Sequence, residues 1–113
     1  MSFVDKHQLW TAEQADAAVR MRRLAEEQGL NTIRFSFPDQ HGILRGKTLT
    51  IDAALSSLED GCSITTPLLA KDTSHRTVFP VFTAGGGFGM AEMQGGSDAL
   101  MIADPSTFRV LPW

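Results

Sequence analysis

The stretch Ile33-Arg34-Phe35-Ser36-Phe37 alternates apolar and polar side chains, and this alternation leaves little freedom in how the middle of the 113-residue chain folds. A period of two puts Ile33, Phe35 and Phe37 on one face and Arg34 and Ser36 on the other, as in a half-buried strand. Pro38-Asp39-Gln40-His41-Gly42 follows. Proline fixes φ, glycine permits positive φ, and Asp and His brace turns through side-chain hydrogen bonds. Ile43 to Thr50 reads as a second strand, so Thr32–Thr50 is predicted to be an antiparallel hairpin. Gly46 within it marks a bulge or a close backbone approach.

Helical signals flank the hairpin. Thr11 and Gln14 have the spacing of a capping box. Ala12 to Gln28 contains neither Pro nor Gly, and Ala17, Met21, Leu24 and Ala25 form an apolar stripe at helical spacing that Gly29 terminates. The first ten residues, with His7 and Trp10, read as a loosely held leader. After the hairpin a short helix is expected, capped by Asp52 and ended by Gly61. Ile64 to Ala70 looks strand-like, with Pro67 restricting it to an edge or a bend. Lys71 to Gly96 is irregular and glycine-rich, and part of it is expected to be mobile. Ala99–Ala103 and Thr107–Leu111 read as closing strands. The order implies an α+β fold: a β-grasp roll over residues 32–113, with a mixed sheet crossed by one helix, preceded by a leader and N-terminal helix over residues 1–31.

Composition narrows the classes of function. A hydrophobic fraction of 42% suits a globular domain. Ten basic and thirteen acidic residues, interspersed to a formal net charge of -3, do not build the basic face that nucleic acid requires. The lone Cys62 forms no internal disulfide and points to a reducing compartment, where it is expected to behave as a small hydrophobe. No signal-peptide pattern and no apolar run of about 20 residues is present, so a cytoplasmic, soluble protein is expected, with no membrane partner.

Chemistry-bearing patterns are sparse. Gly85 and Gly87 begin a dinucleotide-type spacing, but Met90 stands at its third glycine and no Lys-Ser or Lys-Thr pair follows. A flexible flap is the expected role. His7, His41 and His75 lack the i, i+4 spacing of a helical metal pair. Among the carboxylates, Glu59, Asp60, Asp98 and Asp104 are expected at helix ends and turns, and no pair is singled out for acid–base work. Ser63, Thr65 and Thr66 have no assigned base. The residues alone describe a module without a catalytic site, a cofactor site or a metal site.

Three segments carry a family resemblance. Ile33 through Lys47, with its Asp-containing turn and Arg45-Gly46-Lys47, resembles the opening hairpin of glutamine synthetase-family proteins. Leu58-Glu59-Asp60-Gly61 matches as well. The most specific segment is Gly96 through Trp113, with Gly-x-Asp, then Asp-Pro-Ser-Thr-Phe-Arg and Leu-Pro-Trp. The resemblance implies the amino-terminal β-grasp domain of a ligase that joins glutamate to ammonia or an amine, using ATP and Mg or Mn. In that family the metal and phosphate ligands belong to a larger carboxy-terminal domain absent from these residues, and the small domain closes a neighbouring subunit's active site within a homo-oligomer. The chain alone is therefore expected to be inactive. Ammonia-using members carry an Asp-Gly-Ser-Ser loop, and here Thr65 falls where its aspartate would be. That departure resembles members acting on organic amines such as polyamines. It makes Thr65, Thr66 and Asp72 the candidates for an active-site rim, with Asp72 the acid of the same loop that could stand in for the missing carboxylate. The alternative is a stand-alone β-grasp module that binds proteins without catalysis.

Overall fold

A computed structural model describes Met1–Trp113. The chain is mixed α+β, with α1 (Phe3–His7), α2 (Ala12–Glu27), β1 (Thr32–Pro38), β2 (Leu44–Thr50), α3 (Ile51–Asp60), β3 (Cys62–Thr65) and β4 (Asp98–Met101). Short 3-10 turns occupy Thr66–Ala70, Gly87–Gly89, Ala91–Gly96 and Pro105–Thr107. The strands form two antiparallel two-stranded sheets, β1 with β2 and β3 with β4. A single mixed sheet, as expected from the element order, is not what these pairings make. Residues pack as two compact units: Met1–Phe35, Thr48–Cys62 and Ile102–Trp113 form one, Ser36–Lys47 and Ser63–Met101 the other.

In the first unit, α2 follows its sequence signals closely. Thr11 Oγ1 accepts from Gln14 N at 3.2 Å, and Gln14 Oε1 accepts from Thr11 N at 2.9 Å, which completes the capping box. At the other end Gly29 adopts φ +59, Gly29 N donates to Glu26 O and Leu30 N donates to Ala25 O. These are the two bonds of a Schellman ending, and the left-handed residue between them is one that only glycine takes without strain. Ala17, Ala18, Met21 and Ala25 are buried. Ala18 and Met21 join Ile33, Ala54 and Leu58 in a core that Trp10, Phe35, Leu49, Ile51, Leu55, Ala103 and Phe108 enclose.

Residues 1–10 are better anchored than a loose leader. Ser2 caps α1 by accepting from Asp5 N, Val4 is buried, and Phe3 N donates to Asp60 Oδ1 at 2.9 Å. Trp10 Nε1 donates to Ala103 O at 2.9 Å, which gives a half-buried indole the partner it needs. Helix α3 begins earlier than expected. Thr50 is its N-cap, and Asp52 lies in the first turn, where its charge favours the helix dipole without a capping bond. Gly61 ends the helix as expected.

The hairpin appears where the alternation placed it. Ile33, Phe35 and Phe37 are the sheltered positions of β1, and Arg45 and Leu49 those of β2. Two other strand readings are corrected. The predicted strand Ile64–Ala70 stops at Thr65, because Pro67 removes a ladder donor and the chain coils into a 3-10 turn. No strand forms at Thr107–Leu111. Asp104 caps the turn Pro105–Thr107, and the remaining residues are irregular.

Candidate functional site

Chemically active side chains of the second unit gather at the tip of the β1–β2 hairpin and the loop that follows Ala70. The tip is organised by one carboxylate. Asp39 Oδ1 accepts from His41 N at 2.8 Å and from Ile43 N at 2.9 Å, while Asp39 Oδ2 accepts from Arg45 Nε at 2.9 Å. Its side chain is 1% exposed. Burial would push this carboxyl upward, but the Arg45 bond and the amides of Ile43 and His41 outweigh it and hold the pKa below 3.8. Arg45 reaches further, with Nη1 lying 2.8 Å from His75 Nδ1. Because an arginine only donates, that nitrogen of His75 is the acceptor.

Two tip residues hold the following loop by its backbone. Gln40 Nε2 donates to Leu69 O at 2.9 Å and to Lys71 O at 3.0 Å, and His41 Nε2 donates to Lys71 O at 3.1 Å. The loop closes through an antiparallel bridge between Lys71 and Thr77, with Lys71 Nζ donating to Thr77 Oγ1. Asp72 shapes its interior, since Oδ1 accepts from Ser74 N, Ser74 Oγ and Arg76 N at 2.8 to 3.0 Å. The Arg76 amide and the Ser74 hydroxyl lead in holding its pKa below 3.8, with a further contribution from the nearby His41 charge. His75, at φ 66, sits in the left-handed region that non-glycine residues avoid.

The three rim candidates have different surroundings. Thr65 is exposed at the end of β3. Thr66 is buried, with Oγ1 donating to Ser97 O at 2.6 Å and N donating to the same oxygen at 2.9 Å. Its hydroxyl is thereby spent on pinning the 3-10 turn to the residue that precedes β4. Asp72 is half-buried and ionised at neutral pH, a negative charge that the Ser74 and Arg76 donors hold in place. Sequence reasoning passed over Gln40, Arg45 and His75 as members of this cluster. Arg45 carried a signal: it falls on the sheltered register of β2, and a sheltered arginine needs an acid, which Asp39 supplies.

A Cβ on Gly87 would lie 2.7 Å from the Met93 carbonyl carbon, so this backbone packs against its own loop. In the first unit a shallow groove of about 380 Å³ lies between α2 and α3, where Arg22 donates to Leu55 O and pairs with Glu59 at 3.4 Å. No three His, Cys, Asp or Glu side chains converge in this chain. No helix is long and apolar enough to cross a membrane.

A pH dependence follows from the carboxylates. Asp39, Asp72 and Asp104 all have pKa values lowered from 3.8; for Asp104 the bonds from Ser106 and Gln14 are responsible. With the folded-state pKa depressed, the stabilisation is fully present above pH 3.8 and drains away as pH falls through the folded value. The Tm is expected to fall steeply below about pH 4, and a triple Asp39→Asn, Asp72→Asn, Asp104→Asn variant to show a much flatter decline. Thermal melts from pH 2.5 to 7 check this; equal slopes for both proteins contradict it.

Gamma-glutamylanilide synthase from an Acinetobacter species is 40% identical to this chain over 116 residues, which cover 100% of the chain and 23% of that protein. The chain belongs to the glutamine synthetase family. A second relative within it, gamma-glutamylethanolamide synthetase of Streptomyces coelicolor, is 35% identical over 89 residues, or 74% of this chain and 17% of that protein. No family model matches the chain. It thus spans about a quarter or less of the length of these glutamine synthetase-like relatives.

Proposed function

We propose that these residues are the amino-terminal β-grasp domain of an ATP-dependent glutamate–amine ligase of the cytoplasm, and that they form the rim of an active site whose catalytic groups lie on other polypeptide. The observation that carries the reading is the 40% identity across the entire chain to an enzyme named for a γ-glutamyl amide. In this reading ATP and Mg or Mn bind the larger catalytic part, and the assembled enzyme is a homo-oligomer in which this domain faces a neighbour.

The acceptor is an organic amine in preference to ammonia. Both relatives are named for amides of organic amines, anilide and ethanolamide. At Thr65 a neutral, exposed hydroxyl occupies the position where ammonia-using members are expected to carry a carboxylate. A hydroxyl does not supply the fixed charge that attracts ammonium and helps remove its proton. Asp72, ionised at neutral pH, is the remaining acid among the rim candidates, and it orients the approaching amine by accepting a hydrogen bond from its N–H.

The test has two arms. The 113-residue chain, given glutamate, ATP, Mg and any amine, is expected to release no phosphate; turnover would sink the rim assignment. A protein of the relatives' length carrying this domain is expected to use aniline, ethanolamine or putrescine with a kcat/KM at least roughly tenfold above that for ammonia, a difference of about 1.4 kcal/mol. Preference for ammonia overturns the acceptor assignment and leaves the family intact.

A further inference from the structure

The loop that Gln40 and His41 hold is itself a small hairpin. Lys71 bridges Thr77, Asp72 N donates to Arg76 O at 2.8 Å, and His75 N donates to Asp72 O at 3.1 Å. A three-residue turn of this kind ends on a left-handed residue, a position that glycine takes without strain. Here a histidine fills it, with His75 at φ 66. A side chain persists in such a conformation where its surroundings hold it there. What holds this one is Arg45 of β2, whose Nη1 lies 2.8 Å from His75 Nδ1.

The two histidines of this cluster answer a proton differently. His41 Nε2 donates to Lys71 O, and a protonated imidazole keeps that N–H. His75 Nδ1 accepts, so a proton on it turns the acceptor into a donor and sets a second cation against the guanidinium. We infer that the Arg45–His75 contact is a proton-operated latch, which ties the Lys71–Thr77 loop to β2 while His75 is neutral and releases it when His75 is protonated. The acids nearby are already committed. Asp39 spends Oδ2 on Arg45 and Oδ1 on the amides of His41 and Ile43, and Asp72 Oδ1 is taken by Ser74 and Arg76. Histidines change charge between about pH 5 and 8. Both acids stay ionised across that range, each being held below 3.8. The remaining charges, Lys71 and Arg76 on the loop and a protonated His41 at the tip, are of the sign that opposes a second cation at His75. The inference does not depend on the ligase reading, because the loop is followed without turnover; under that reading the same latch sets where Asp72 stands.

Amide hydrogen exchange in the 113-residue chain tests it, read as protection after correction for the intrinsic pH dependence of exchange. From about pH 8 to pH 5 the Asp72 and Val78 amides, bonded to Arg76 O and Ala70 O, are expected to lose protection at least roughly tenfold. The Leu30 amide, bonded to Ala25 O in the first unit, is expected to keep its protection. A loss that Leu30 shares is unfolding and overturns the inference, as does a loop equally protected at both pH values. His75→Asn tolerates the left-handed backbone and offers Oδ1 to Arg45 without titrating, so its loop is expected to stay protected throughout. His75→Gly relaxes the backbone and removes the acceptor, so its protection is expected not to change with pH. A pH response of the parent's size in either variant overturns the latch.

Discussion

Leu58→Ala is expected to cost about 2–5 kcal/mol and to lower the Tm by roughly 10–20 °C, because it empties the centre of the first unit's core. Leu58 is 0% exposed and packs with Ala18, Met21, Ile33 and Ala54. Three of its four buried neighbours lie on helices of fixed length and one on a strand, so the site has little freedom to collapse around the missing atoms. Domains of this size have only about 5–15 kcal/mol of net stability, so the loss is a large share of the whole. Leu58→Met retains most of the volume and is expected to cost less than about 1.5 kcal/mol. Urea titrations of both variants settle the point. Similar midpoints for Ala and Met would show that the core is not centred where the packing places it.

A second large effect is expected at Gly87. Alanine there meets two penalties: φ is +65, and its Cβ would lie 2.7 to 2.9 Å from Met93 C, Met93 O and Gln94 N. All three are backbone atoms, so the loop itself has to move. Gly89 is the matched control, with φ +75 and nothing within 4 Å of its Cβ. Gly89→Ala is expected to cost only the left-handed penalty of about 1–2 kcal/mol. Gly87→Ala is expected to exceed that and to release the local bonds, so that the amides of Gly87 and Gly95 exchange with solvent markedly faster. Equal exchange in the two alanine variants would mean that the close backbone approach carries no energy.

These sites differ in how legible they are in sequence. Local signals suffice where one residue type has one physical use. Thr11 and Gln14 predict a capping box, and both bonds are present. Alternation from Ile33 to Phe37 predicts the hairpin, and the idea that Asp39 braces the turn holds, with three donors on its carboxylate. Asp52 is the wrong cap because the helix starts one residue before it, at Ile51, with Thr50 in the cap position and no side-chain capping bond to mark it. Thr107–Leu111 reads as a strand on composition alone, but strands need partners, and sequence does not say whether any is adjacent. The division of four strands into two pairs is hidden for the same reason.

At the candidate site the difference is sharper. Thr65, Thr66 and Asp72 emerge through resemblance to other proteins, whereas the bonds of Gln40 and His41 to the Leu69–Lys71 backbone run between positions about thirty apart. Composition and spacing are blind at that range. A side chain that donates to a distant carbonyl leaves no periodic trace, and its amide or imidazole looks like any other surface polar group.

Trp10 and Ala103 join across 93 positions, and the first unit is assembled from three separate stretches of the chain. A ribosome therefore delivers the strip that holds Ala103 and Phe108 only after Met101 has emerged. Until then Met21, Ile33 and Leu58 wait with one wall missing, while Ser36–Lys47 and Ser63–Met101 already hold all their own members.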